Sequence, residues 1–470
     1  MNRNRSPGVK LFFAGLVAAV LIVPLMMVYA LVYDRENQSQ TAQANITAGW
    51  GGAQTVAGPV LVIPYTATTT QTETVDGRQI ARTSQVRREL FVSPQKQNVK
   101  TTIAPDRKSY AIYESVVYDS AFEGSAQFTV PDDLSRYGVN RASLMLDEAQ
   151  LRFGVSDPRG LTDNVSVVVN GVRAELEPGN GPAATDGLGF SADVAWSGQG
   201  SLDVRWNYGV RGSRSISLLP RGGETEWSVS SAWPHPGFSG DFLPNTREVS
   251  AEGFTATYSG INNLALNRQI VSTQDQGAPP ATASADDPDW AREAQRAGRE
   301  GNADSSAIAT IGLVEPVDLY SQVDRAVKYG FLFIGFTFAA FLMFDIVGGA
   351  RVAPAEYLLT GAGLVLFFVM LLAFAEVVGF ALAYAIAAAA IIGLLTAYSA
   401  AILRSWRRAS FIGAMLAGLY ALLFVLLSME TFSLLIGSLL LFFALAGVMY
   451  VTRHVDWSSV GQDSEEPVIA

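Results

Sequence analysis

The sequence predicts an α+β membrane protein, with six transmembrane helices and a large β-rich extracytoplasmic domain inserted between the first and second of them. Three observations carry that reading. Only 16% of the 470 residues are charged while 49% are hydrophobic, whereas a soluble chain carries nearer a quarter charged. Apolar runs recur that are long enough to cross roughly 30 Å of hydrocarbon at about 1.5 Å per helical residue. Between the first two runs lies a long stretch of short alternating segments broken by Gly, Pro, Asn and Asp, which is the pattern of strands.

The first element is the run Leu11 to Tyr33, preceded by Arg3, Arg5 and Lys10 and closed by Asp34, Arg35 and Glu36. A cleaved leader has an apolar region of usually about 7 to 15 residues. This run is longer, so residues 11–33 read as an uncleaved anchor behind a cytoplasmic N-terminus at 1–10. Residues 34–327 then hold no run of span length. Strand-like segments include Pro59 to Pro64, Val165 to Val169 and Leu202 to Trp206. Asn170-Gly171 is the best hairpin signal, because both central positions of a type I′ turn need positive φ. The polar stretch 272–308 has too few large apolar groups to offset the entropy of ordering. It reads as a mobile loop with a short helix from Asp286 to Arg299.

The last third carries five further spans, at about 329–347, 357–375, 378–403, 410–428 and 431–451. They form a bundle over 328–452, followed by an acidic tail at 453–470. Positive residues near span ends are retained in the cytoplasm. With six spans, Arg3, Arg5, Lys10, Arg351, Arg404, Arg407, Arg408 and Arg453 all fall on one side, and the short loops near Glu376 and Glu430 hold none. Both termini are therefore expected in the cytoplasm and residues 34–327 outside it.

Composition excludes several functions. A net charge of −10 without a basic stripe argues against nucleic acid as a partner. The absence of cysteine removes disulfides, thiol nucleophiles and cysteine-held metals. Two histidines, His235 and His454, fall on opposite sides of the membrane in this topology, so no histidine metal site or triad assembles. No phosphate loop, H-E-x-x-H or G-x-S-x-G element occurs. Ser93-Pro94-Gln95-Lys96 matches S-x-x-K, but its companion motifs are missing and Pro94 breaks the helix such a pair needs. No cofactor and no enzyme activity are expected.

Two groups of residues remain as candidates. Asp345, Glu356, Glu376 and Glu430 lie within about a turn of span ends, where a carboxylate reaches water at small cost. Interfacial solvation explains them more simply than an ion path. The segment Trp233 to Pro244 is expected to be a stiff irregular loop, because Pro234, Pro236 and Pro244 fix φ and remove ladder donors. It would display Trp233, His235, Phe238, Asp241 and Phe242, with Arg247 just beyond. One reading is a recognition loop; the other, favoured on general grounds, is aromatics plugging the end of a sandwich or resting on the bilayer interface.

The same segment carries a resemblance. Trp233-Pro-His-Pro-Gly-Phe-Ser-Gly-Asp-Phe-Leu-Pro244, followed by Arg247-Glu-Val-Ser250 and Gly253-Phe254, resembles the CreD family of bacterial inner-membrane proteins. Gly58-Pro59, Pro316 to Tyr320, Arg325 to Tyr329, Glu356 to Leu359 and Asp456-Trp457 support it along nearly the whole chain. The resemblance implies a role in cell envelope integrity, tolerance to some colicins and a two-component response to β-lactams. It supplies no catalytic residues. The expected partners are membrane lipids and an envelope protein or glycan, with self-association left open. The rival expectation is a transporter or flippase of envelope lipid or glycan intermediates.

Overall fold

The computed structural model describes residues 7–277 and 307–428 except 76–77, 111–112, 163, 195, 199, 315–318 and 347–351, with 279 and scattered positions between 438 and 453. At 7–9, 71–81, 110 and 345–346 the backbone alone is described. The chain packs as two units, Gln40–Pro316 and Met1–Ser39 with Val317–Ala470. It is an α+β structure with a large β-rich region and, among the described residues, five helices long and apolar enough to cross a membrane.

The helices are α1 (Pro7–Trp50), α2 (Leu319–Lys328), α3 (Gly330–Ile346), α4 (Pro354–Val378), α5 (Phe380–Leu403) and α6 (Trp406–Ser428). Two boundaries differ from the sequence reading. The first helix does not stop at Tyr33, because residues 34–48 hold several Gln and Ala and contain neither Gly nor Pro. It ends before Gly51, whose amide donates to the Thr47 carbonyl at 2.9 Å. Residues 319–328, expected in the strand region, form α2 instead. Tyr320, Val323, Ala326 and Val327 are its buried residues, and that helical spacing is an amphipathic signature. The sixth expected span, 431–451, lies almost wholly outside the described residues, as do the Asp286 to Arg299 helix and His454.

Among the described residues the strand unit contains two sheets. One follows the order β13 (Pro236–Gly240), β17 (Ala309–Leu313), β11 (Ser215–Leu219), β1 (Gln54–Val75), β5 (Gln150–Val155), β9 (Gly189–Asp193) and β8 (Leu176–Pro178). The long β2 (Arg78–Val92) also pairs with β1, and β16 (Val271–Ser272) with β2. The other sheet runs β14 (Thr246–Ser250), β15 (Gly253–Asn262), β12 (Glu224–Ser231), β3 (Lys96–Tyr110), β4 (Tyr113–Phe128), β10 (Leu202–Ser213), β6 (Ser166–Val169) and β7 (Val172–Arg173). The Asn170-Gly171 hairpin forms as expected, with φ of 49° and 84° and Val169 opposite Val172.

The alternating burial of β10, from Leu202 to Val210, shows why these residues form half-buried strands. Its Trp206 and Tyr208 meet Phe153 of the first sheet at ring distances of 5.7 and 6.3 Å. One apolar core therefore receives side chains from both sheets. Trp227 is fully buried, stacks on Tyr258 at 4.9 Å and donates its indole N–H to Thr101 Oγ1 at 2.8 Å. A core of this size accounts for folding without disulfides.

Candidate functional site

The segment after β12 is not an irregular loop. Pro236 to Gly240 form β13 and pair antiparallel with β17, from Pro236 opposite Leu313 to Gly240 opposite Ala309. The prolines permit this because β13 is an edge strand and Pro236 is its first residue, where a missing N–H disturbs no central ladder. Trp233 is 8% exposed and donates its indole N–H to the Val314 carbonyl at 3.0 Å. The Arg107 guanidinium lies 5.6 Å from the centre of its ring, close enough for a cation–π contact. Phe238 meets Phe254 edge to face at 5.8 Å, and Phe242 is half-buried against the same core. The aromatics therefore point inward.

The polar residues divide. Asp241 is engaged in the backbone: its amide donates to the Ile308 carbonyl at 2.8 Å, and its Oδ2 accepts the Ile308 amide at 2.9 Å. His235 is exposed, although its carbonyl accepts the Val314 amide at 3.2 Å. Arg247 is exposed on β14 with its guanidinium 5.8 Å from the Phe238 ring. Phe238 and Arg247 are thus brought together. His235 and Asp241 are not, since they flank a five-residue strand and at about 3.3 Å per residue stand roughly 20 Å apart.

Beside this segment an open groove of about 600 Å³ crosses the middle of β3 and the ends of β12, β14 and β15. Thr102, Ser230, Ser250 and Thr255 line it with hydroxyls, and Glu248 and Glu252 add carboxylates. Every residue of β14 is exposed.

Sequence reasoning missed the most buried charges. Arg221, with its side chain 3% exposed, donates through both terminal nitrogens to Asp275 Oδ1 at 3.0 Å and to the Gln276 carbonyl at 3.1 Å. The other carboxylate oxygen accepts the Ala183 amide at 2.6 Å. Asp275 belongs to the stretch expected to be mobile, so the start of that stretch is pinned. Arg268 stands close by, and burial, then the charge of Arg221, pulls its pKa down to about 10. A lone Arg between Pro220 and Gly222 gave no periodic or motif signal.

Of the acidic residues near span ends, Glu356 caps its own helix by accepting the Ala353 amide at 2.7 Å. Glu376 Oε1 accepts the Tyr320 hydroxyl at 3.2 Å, tying α2 to α4. The Asp345 side chain and Glu430 lie outside the described residues. Among the described residues no group of three or more His, Asp or Glu is placed to hold a metal ion.

The family described as inner membrane protein CreD matches residues 6–458. The chain belongs to the CreD family. Inner membrane protein CreD of Escherichia coli (strain K12) is 30% identical over 449 residues, covering 93% of this chain and 91% of that protein. Membership of CreD and the apolar helices together make this an inner-membrane, multi-pass protein. Among solved structures, an M1 zinc metallopeptidase from Deinococcus radiodurans bound to a Tyr-Ser-Ala substrate aligns with a TM-score of 0.20 and 9% identity, over 36% of this chain and 39% of that one. A likeness at that level carries no argument about CreD.

Proposed function

We propose that this chain supports cell envelope integrity without catalysing a reaction, through a strand-rich domain outside the cytoplasm that contacts a ligand, lipid or partner protein. The observation that carries the reading is the division within the Trp233–Arg247 segment. Its aromatics are spent on the core, which leaves His235, Arg247 and the hydroxyl-lined groove facing solvent on a rigid edge. Rigid elements lose little entropy on binding. Family membership is the second support. In a deletion strain, His235→Ala with Arg247→Ala is expected to abolish rescue of the envelope phenotype while the protein stays inserted and as abundant as the parent. Full rescue by that variant would sink the reading.

The domain's location rests on a six-span topology with both termini in the cytoplasm, which the distribution of Lys and Arg supports. Because the chain has no cysteine, single cysteines at Ser109 or Ser201 are expected to label from outside the inner membrane. Cysteines at Ser405 or Ser458 are expected to label only from the cytoplasm. Outside labelling at Ser458 would require an odd number of spans and overturn the topology.

A further inference from the structure

We infer that the groove across β3, β12, β15 and β14 takes an extended basic peptide, whose lysine or arginine side chains meet Glu248 and Glu252 while its backbone bonds to a row of hydroxyls. This rests on the reading of the strand-rich domain as a binding module and names the class of ligand for its groove. Strand register builds the site. Glu248 stands opposite Thr255, Thr255 opposite Ser230, Ser230 opposite Thr102 and Thr102 opposite Ala121. One straight row therefore runs from β14 to β4. It lies on the face turned away from the core, since Thr102 and Thr255 are exposed while their neighbours Ile103 and Phe254 are buried. Beside this row, Gly253, Ala232 and Ala104 carry at most a methyl, and a Cβ on Gly253 would collide with the Ser231 carbonyl oxygen. Two adjacent rows of short side chains leave the trough of about 600 Å³.

Elsewhere on the same face, opposite charges meet across strands. Lys96 Nζ lies 3.9 Å from Glu224 Oε2, Arg211 Nε lies 3.2 Å from Asp119 Oδ1, and Lys100 stands opposite Glu123. At the groove that pattern stops. Among the described residues no lysine or arginine lines it, and the carboxylates of Glu248 and Glu252 have neither an ion partner nor a hydrogen-bond donor. Arg247, next to Glu248 on β14, belongs by alternation to the opposite face, where it meets the Phe238 ring. Two exposed acids in a trough without cations select a cationic ligand by complementarity. The hydroxyls of Thr102, Ser230 and Thr255 can each donate and accept, which matches the alternating N–H and C=O groups of a peptide. A sugar ring or a lipid chain finds no apolar platform, because the one aromatic residue of the lining, Phe254, is 3% exposed and turned into the core against Phe238. From β3 to β14 are three strand spacings, roughly 14 Å, or about four extended residues.

The test uses the full-length chain in neutral detergent and fluorescein-labelled pentalysine, with binding read by fluorescence anisotropy at low salt. The parent is expected to bind the peptide, and Glu248→Gln with Glu252→Gln to weaken binding at least about tenfold. Both residues are exposed, so their replacement leaves the core untouched. Glu226→Gln with Asp203→Asn removes two exposed acids from the same face outside the groove, and should stay within about twofold of the parent. Equal weakening by the two pairs, or binding of pentaglutamate as tight as that of pentalysine, would overturn the inference. So would tighter binding of chitopentaose, which would give the groove to a glycan. His235 and Arg247 lie off the groove, so His235→Ala with Arg247→Ala should still bind pentalysine. If that variant fails to rescue the deletion strain and the parent does not bind pentalysine, the ligand class alone is wrong. If it rescues fully and pentalysine still binds through Glu248 and Glu252, the envelope reading falls and the ligand class stands.

Discussion

Replacing Asp275 with Ala should lower the stability of the strand unit by about 3–5 kcal/mol, the usual loss when one partner of a buried ion pair is removed. Arg221 is almost wholly enclosed and would be left without its counterion, beside a second, half-buried cation, Arg268. The lost acceptor for the Ala183 amide adds to the deficit. Asp275→Asn should lose nearly as much, because it retains the shape and removes only the charge. Arg221→Met combined with Asp275→Leu should recover most of the loss, since an apolar replacement of both partners removes the desolvation cost along with the attraction. Thermal unfolding of the detergent-solubilised protein, followed by tryptophan fluorescence, measures all three. A loss below about 1 kcal/mol for Asp275→Ala would place the pair with surface ion pairs and refute the argument.

Trp233→Ala is the second large effect. Truncating a buried aromatic costs typically about 3–5 kcal/mol, and here the indole hydrogen bond to Val314 and the contact with Arg107 are lost as well. His235→Ala, two residues away on the exposed side, should stay within about 0.5 kcal/mol of the parent. The contrast separates packing from recognition within one short stretch. If Trp233→Ala unfolds at the parent's temperature, the inward aromatics are not what holds β13 to β17.

The parts of this fold that were legible in the sequence share a local cause. Spans declare themselves by length and hydropathy, and the Asn170-Gly171 turn by a backbone requirement that few residue pairs meet. The candidate segment was only half legible. Its prolines argue locally against a strand, because nothing nearby in sequence says that Pro236 stands first on a sheet edge; only the distant β17 decides that. The Arg221–Asp275 pair was invisible for the same reason, since its members are joined by the fold and by no periodicity. The continuation of α1 to Trp50 was missed differently. Polar helix formers carry no hydrophobic period when no apolar stripe is required of them, so residues 34–48 were absorbed into the strand region that follows.

The order of strands in the two sheets also constrains the sequence of events by which the chain can acquire them. The first strand, β1, is completed by β11, with Gln54 opposite Ile216, and by β5, with Val62 opposite Gln150. The last strand, β17, is the one that joins β11 to β13. The sheet's central strand therefore waits for partners made much later, and its final seam waits until the polar stretch before Ala309 has been produced. Pairings so distant along the chain close slowly, and unpaired strand edges invite association with other chains meanwhile. Part of this sheet therefore has its partners only once Leu313 has been made.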